Sequence, residues 1–447
     1  MWGVGDIRAF SSAPVRCKIS LAPCGRREGG NMNVSWSRVR VNGRASFVAS
    51  LFAAAIVIVG SAAPAHADFF QQADLVTDDN MNLTSLGFPA ATTVDPNLVN
   101  PWGVSFSATS PFWVSDNGMG VATLYNGAGV PQPQANPLVV TIAPPMGSPP
   151  GFVSAPTGQV FSIGGANDFV VSQGANSGRA VFIFATEDGT ISGWNPTVNP
   201  TNSIRVVDTM GNAVYKGLAT ATNAGSPFLY AANFRGGTVD MFDSKFNLVK
   251  SFTDPSPPPV PAGTPSGQNW APFNVQLLND HLYVTFALQN AAKHDDVAGP
   301  GNGFVDEFNT DGTFVKRVAT GGVLNSPWGL VISPAGFGTF GNDLLVGNFG
   351  NGEINVFDPT TDAFLGTLPI DIEGLWALTD RSNGASGSDP NAVYFTAGIS
   401  TFGVADSLET HGLFGDIAFI PEPGSLALLA TGLTGLLWLR RRQTRGR

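Results

Sequence analysis

The feature that most constrains what this chain can fold into is a four-strand unit at 326–368, SPWGLVISPAGFGTFGNDLLVGNFGNGEINVFDPTTDAFLGTL, which returns along the sequence. Within it, apolar residues alternate or run together at 330–333, 343–347, 353–357 and 363–368, and Gly, Pro, Asn or Asp bounds each run. Four short meandering strands in about 40 residues have the size of one propeller blade. Asn100-Pro101-Trp102-Gly103 repeats Ser326-Pro327-Trp328-Gly329, and strand 112–115 enters Asp116-Asn117-Gly118 as strand 344–347 enters Asn348-Phe349-Gly350. A third copy opens at Tyr215-Lys216-Gly217-Leu218 and sets Asn233-Phe234-Arg235-Gly236 against Asn348-Phe349-Gly350; a fourth opens at Ala271-Pro272-Phe273-Asn274-Val275. Two weaker copies cover 168–208 and the stretch from Gly374 to Ile420.

Taking Trp102, Leu218, Val275, Trp328 and Leu375 as comparable points gives a period near 50 residues and six copies. The expected fold is all-β, a six-bladed β-propeller, with seven blades the alternative. A ring of sheets must close or leave two edges unpaired, so residues 69–76 or 413–419 are expected to complete a blade across the seam. The Pro-rich stretches 131–156 and 254–272 are expected to be surface loops.

Composition supports an all-β chain. Glycine (54) and proline (33) interrupt nearly every apolar run, and no long helical periodicity appears between the ends. Residues 68–420 hold ten Lys or Arg against thirty Asp or Glu. Such a surface repels phosphate backbones and anionic headgroups, so no nucleic-acid partner is expected. The two cysteines, Cys17 and Cys24, precede the segment expected to be removed, which leaves the mature chain without a thiol or a disulfide.

The ends carry addresses. From Met32, Arg38, Arg40 and Arg44 precede the apolar run 45–59 and Ala65-His66-Ala67, the order of a signal peptide cut by signal peptidase. The expected domains are 1–31, a start-site artefact or long leader; 32–67, the signal peptide; 68–420, the propeller; and 421–447, a sorting segment. In the last, Pro421-Glu422-Pro423 is followed by the apolar stretch 424–439 and then five arginines. Sixteen helical residues span about 24 Å, less than the roughly 30 Å hydrocarbon core, and the arginines place the tail on the cytoplasmic side. This ending resembles the PEP-CTERM sorting signal. The resemblance implies transient membrane insertion through the C-terminal helix, then recognition by an exosortase in a Gram-negative bacterium that exports exopolysaccharide.

NPWGVSF, FWVSDNG, KHDDVAGPGNGFVDEF, LLVGNFGNGEINVFDPTT and ETHGLFG, falling in order over most of 68–420, together resemble an uncharacterised propeller family common in PEP-CTERM-bearing proteins. More distantly the chain is similar to NHL-type six-bladed propellers. Neither resemblance brings an activity, since propellers host hydrolases, lactonases, lyases and binding modules alike.

Asn117, Asn233 and Asn348 follow what reads as the same strand of three blades, so convergence of their side chains near the axial channel is one expectation, with Asp116 and Arg235 adding charge. Together with Asp116, the three Asn form a candidate metal set whose oxygen ligands suit Ca²⁺. The bland alternative is that Asn and Asp before Gly build turns. Lys293-His294-Asp295-Asp296 is the most polar run of the chain, and His294, Asp295 and Asp296 are candidates for ligand binding or acid–base work. His411 opens the last strand and is a candidate for the same channel, or a structural hydrogen-bonding group. Trp102, Trp328 and Trp376 recur at blade starts, which favours packing over ligand stacking. No nucleophile elbow, zinc-protease helix or phosphate loop is present. The expected function is therefore a non-catalytic binding or structural module of the cell envelope or matrix, with extracellular polysaccharide or an envelope protein as partner and no certain cofactor. The alternative is a metal-dependent hydrolase or lactonase at the channel mouth.

Overall fold

The computed structural model describes residues 69–421. The expected signal peptide, the residues before it, and the sorting helix at 424–439 lie outside that range. Among the described residues, no helix is long and apolar enough to cross a membrane.

After β1 (Phe69–Thr77), helix α1 (Asn80–Ser85) and β2 (Thr93–Val94), the chain lays down six sheets in succession, antiparallel apart from the short parallel pairing of β2 with β1 in the last. Blade one is β3 (Pro101–Ser105), β4 (Phe112–Asp116), β5 (Val121–Tyr125) and β6 (Val140–Thr141). Blade two begins with β7 (Pro156–Phe161), interposes the hairpin β8 (Val170–Gln173) and β9 (Asn176–Arg179), and continues as β10 (Phe182–Thr186), β11 (Thr190–Trp194) and β12 (Ile204–Asp208). Blade three is β13 (Tyr215–Asn223), β14 (Ser226–Asn233), β15 (Thr238–Phe242) and β16 (Leu248–Phe252). Blade four is β17 (Trp270–Leu278), β18 (His281–Leu288), β19 (Phe304–Phe308) and β20 (Phe314–Thr320). Blade five is β21 (Pro327–Ile332), β22 (Leu344–Asn348), β23 (Glu353–Phe357) and β24 (Phe364–Asp371). Blade six takes β25 (Leu375–Asp380), β26 (Val393–Ala397) and β27 (Leu413–Ile420) from the end of the propeller. It then takes β1 from the beginning, paired antiparallel with β27 from Phe69↔Ile420 to Thr77↔Leu413. Both expected closing segments thus serve, side by side.

Two expectations about the poorly repeating regions need correction. The inner strand of blade two is β7, which precedes 168–208; the inserted hairpin β8–β9 obscures the relation in sequence. The Pro-rich stretch 131–156 supplies the outer strand β6 of blade one, and 254–272 runs into β17, so neither is loop throughout.

The apolar alternation of these strands has a single physical outcome. A blade has two faces, each of which must be buried against a neighbour. Six hydrophobic clusters are each shared by two adjacent blades, as where Val331, Leu345 and Val356 of blade five meet Leu375, Val393 and Phe395 of blade six. Each such side chain contributes roughly 1.5–3 kcal/mol by leaving water. A seventh cluster lies on the axis and includes Trp102, Phe273, Trp328, Phe349 and Trp376.

Candidate functional site

The inner strands of all six blades start at the same end of the channel, and one residue near the start of each lines it: Trp102, Thr157, Lys216, Phe273, Trp328 and Trp376. In all six blades a β-bulge falls at this residue, between Pro101 and Val104, Pro156 and Gln159, Tyr215 and Gly217, Pro272 and Asn274, Pro327 and Gly329, and Leu375 and Leu378. A bulge leaves one residue outside the ladder and re-aims its side chain. Glycine usually follows, because neighbouring inner strands nearly touch. A Cβ on Gly103 would lie 2.6 Å from Thr157 O, and one on Gly158 would lie 2.3 Å from Leu218 N.

The three tryptophans meet across the axis. Trp102 and Trp376 stack with centroids 3.5 Å apart, Trp328 meets both edge-on at 6.1 and 5.9 Å, and Phe349 stacks on Trp376 at 4.0 Å. They form an aromatic plug joining blades one, five and six.

Lys216 replaces an aromatic residue in that ring and is only 2% exposed. Its ammonium pairs with Glu187, lies 3.6 Å from Asp295 Oδ1, and sits 4.9 Å from the Trp102 ring centroid. Burial pulls its pKa down, but the charges of Glu187 and Asp295 outweigh burial and hold it above the usual lysine value. Around it the polar groups form one network. Asn117 Nδ2 donates to Glu187 Oε2 at 3.0 Å, and Asn100 Nδ2 donates to Glu409 Oε2 at 2.8 Å and to Asn117 Oδ1 at 3.2 Å. Trp376 Nε1 donates to Asn100 Oδ1 at 3.0 Å, tying this layer to the plug.

The loop 289–303 covers one side of the network. His294 Nδ1 lies 2.7 Å from Asp295 Oδ1, which raises the histidine pKa and lowers that of Asp295 to about 2. Burial raises the Asp296 carboxyl, opposed by the charge of Lys216. Burial, with the Glu187 charge behind it, pushes Glu409 up to about 7. Ligand atoms of Glu187, His294 and Asp295 fall within 4.8 Å of one another, a spacing a divalent ion would accept.

The other expected site residues are distributed differently. Asn233 and Asn348 do not join Asn117. Asn233 donates to Asp240 Oδ2 at 2.9 Å and accepts from Gly236 N at 2.9 Å; Asn348 donates to Val323 O at 2.8 Å and accepts from Asn325 N at 3.1 Å. The reason is a register slip of one residue. Asn233 and Asn348 end β14 and β22 as Asp116 ends β4, and Asp116 is itself buried against Thr123, with its pKa raised by desolvation. Asn117 stands one place further on. There, the residue after the second strand donates its N–H to the residue before the first, a position held by Asn117, Glu187, Phe234, Phe349 and Gly398. Shifting one residue along a strand reverses the face presented. Arg235 is tied to Gly211 O in an exposed turn. His411 pairs with Asp78, whose other oxygen takes Gly412 N–H at 2.8 Å; it clasps β1 to β27. Lys216, Glu187, Asn100 and Glu409 belong to the site but not to the set expected from sequence. The signal for Lys216 was the lysine of Tyr-Lys-Gly standing where other copies read Pro-Trp-Gly.

Residues 419–442 match the PEP-CTERM protein-sorting motif. With the propeller, that motif makes this an exported propeller protein with a membrane-anchored sorting step, and it implies processing by an exosortase. Among solved structures, a streptogramin B lyase is similar at TM-score 0.39 and 10% identity, over 79% of this chain and 98% of that one. The chain is 30% identical over 315 residues to the uncharacterized protein R648 of Acanthamoeba polyphaga mimivirus, covering 68% of this chain and 72% of the relative. It is 32% identical over 317 residues to the uncharacterized protein L690 of the same virus, covering 68% of this chain and 77% of that one. At that identity and coverage, the chain belongs to the same protein family as L690.

Proposed function

We propose that this exported propeller works by binding, as a recognition or structural module of the cell envelope or its surrounding matrix, through the polar mouth of its channel. The observation that carries this reading is the position of Lys216. Its ammonium already stands among the carboxylates of Glu187 and Asp295, so the strongest charges at the mouth neutralise one another. Carboxylates held by a fixed cation are poor general bases, and a lysine whose pKa is raised is a poor nucleophile. Asp295 and His294 are the more exposed members of the cluster, at 60% and 39% side-chain exposure, and are where a partner would first make contact. A second reading, a metal-dependent hydrolase or lactonase, is favoured by the spacing of Glu187, His294 and Asp295. It requires a divalent ion to displace a protonated lysine.

The test uses the exported protein and its Asp295→Ala and His294→Ala variants, fractionated with isolated envelope and matrix material. The binding reading expects wild type to co-sediment and both variants to be released several-fold more. Stoichiometric uptake of Ca²⁺ or Mn²⁺ in calorimetry, with ester or lactone cleavage that Asp295→Ala abolishes, would replace it with the second reading.

A further inference from the structure

We infer that a second binding site, for a neutral sugar ring and its attached glycan, opens at the end of the channel opposite Lys216. Beyond the aromatic plug the inner strands diverge around a pit of about 20 Å³ walled by Gly103, Gly158, Asn274 and Trp328. The pit continues into a chamber of about 220 Å³ whose polar lining is Ser105, Gln159, Thr220, Gln276 and Thr379. Thr220 and Leu277 are shared with an outer chamber of about 450 Å³ that runs past Thr310 to Asp280. These form a groove from the axis outward over blades three and four.

Gln159 gives the inner chamber a fixed polarity. It is 4% exposed, and its Nε2 donates to Gly103 O at 2.8 Å and Trp113 O at 2.6 Å. Both partners are carbonyls, so the nitrogen cannot exchange places with the oxygen, and Oε1 is left without a partner. Ser105 Oγ is unpartnered as well. Both atoms are covered by protein, so they cost free energy in the free protein, and a ligand hydroxyl reaches them only after a side-chain rotation.

The absence of charge selects the ligand. Among the described residues, no ionisable side chain lines the inner chamber, although acidic residues outnumber basic ones threefold in the propeller. A charged group placed there would lose its hydration without compensation. Hydroxyls and carboxamides both donate and accept, as sugar hydroxyls do, and Phe106 and Phe161 offer apolar surface for a ring face. The inner volume is below the roughly 300–1,000 Å³ of drug-sized pockets. It has the scale of one ring, with further units in the outer chamber.

This inference rests on the protein being a binder, and the experiment separates the two claims. Cellotriose, maltotriose, N-acetylchitotriose and the anionic trigalacturonate are titrated into the full chain in mild detergent, read by saturation-transfer NMR and calorimetry, with the free monosaccharides alongside. At least one neutral trisaccharide should bind, trigalacturonate should not, and a trisaccharide should exceed its monosaccharide if a glycan rather than a free sugar is the natural ligand. Thr220→Trp, which fills the groove, and Thr310→Trp, which blocks its outer chamber, should each weaken binding by about tenfold or more, equivalent to roughly 1.4 kcal/mol. Asp295→Ala should leave it unchanged. Failure of every neutral sugar to bind, equal binding of trigalacturonate, or binding that survives both tryptophan variants overturns the groove. Loss only in Asp295→Ala also overturns it, while sustaining the binding reading at the mouth. Cleavage of any sugar overturns the binding reading instead.

Discussion

The ammonium of Lys216 sits among more carboxylates than it can neutralise, and that imbalance decides how the mouth responds to pH. Glu187 and Asp295 take the lysine; Glu409, held by Asn100 and facing the Glu187 charge, is left to burial and rises to about 7. A carboxyl raised from 4.5 binds its proton more tightly in the folded state, so its stabilising effect is present at low pH and is lost as pH climbs through about 7. Burial raises Asp306 to about 7 and Asp416 to about 6, which adds to the same trend. Asp295, lowered to about 2, acts in the opposite sense, and only in more acid solution. The thermal midpoint should therefore be higher near pH 5.5 than near pH 8. Glu409→Gln should flatten part of that slope and stabilise the protein at pH 8 by on the order of 3 kcal/mol at most. Calorimetric melts across this range decide it; a midpoint that climbs toward pH 8 would contradict the assignment.

At the scale of the element, the repeated start motif is a device for bringing six strands close to one axis. The bulge turns one residue of each inner strand into the channel, and the glycine that usually follows lets the next blade approach. Gly217 shows the limit: a Cβ there would lie 2.2 Å from Asn274 Oδ1 and 2.7 Å from Asn274 Cα. Gly217→Ala should lower stability by about 2 kcal/mol or more, because Asn274 holds Trp328 O at 2.8 Å and cannot move freely. Denaturant titration measures this, and a change within about 0.5 kcal/mol would mean the blades slide more easily than packed strands should. The same geometry explains why Asn117 stands apart from Asn233 and Asn348. Asp-Asn-Gly and Asn-Phe-Gly look alike in sequence, yet the strand ends at Asp116 in one and at Asn348 in the other. A turn residue and a channel residue then differ by a single step.

For the whole molecule, closure is what makes six marginal sheets one body. β1 and β27 come from opposite ends of the propeller and share eight paired positions, with His411 and Asp78 clasping the junction. Deleting Phe69–Thr77 should expose β27 as an open edge and uncover the face of Phe414 and Tyr394. Aggregation and a lower, broader melt are expected by light scattering and circular dichroism; a monomer with an unchanged melt would show that the ring does not depend on this strap.

The strand pattern, the six copies, the acidic composition and the C-terminal sorting motif are legible in the sequence, because each depends on local residue order. Residues in contact along one strand, or motifs read by separate cellular machinery, need no partner from elsewhere to be recognised. The site did need one. Lys216, Glu187, Asn117, Asp295 and Glu409 come from five different parts of the chain, and only ring closure sets them against one another. Which side of each strand faced the axis depended on where the bulges fell, and that is decided by packing between blades, one residue at a time.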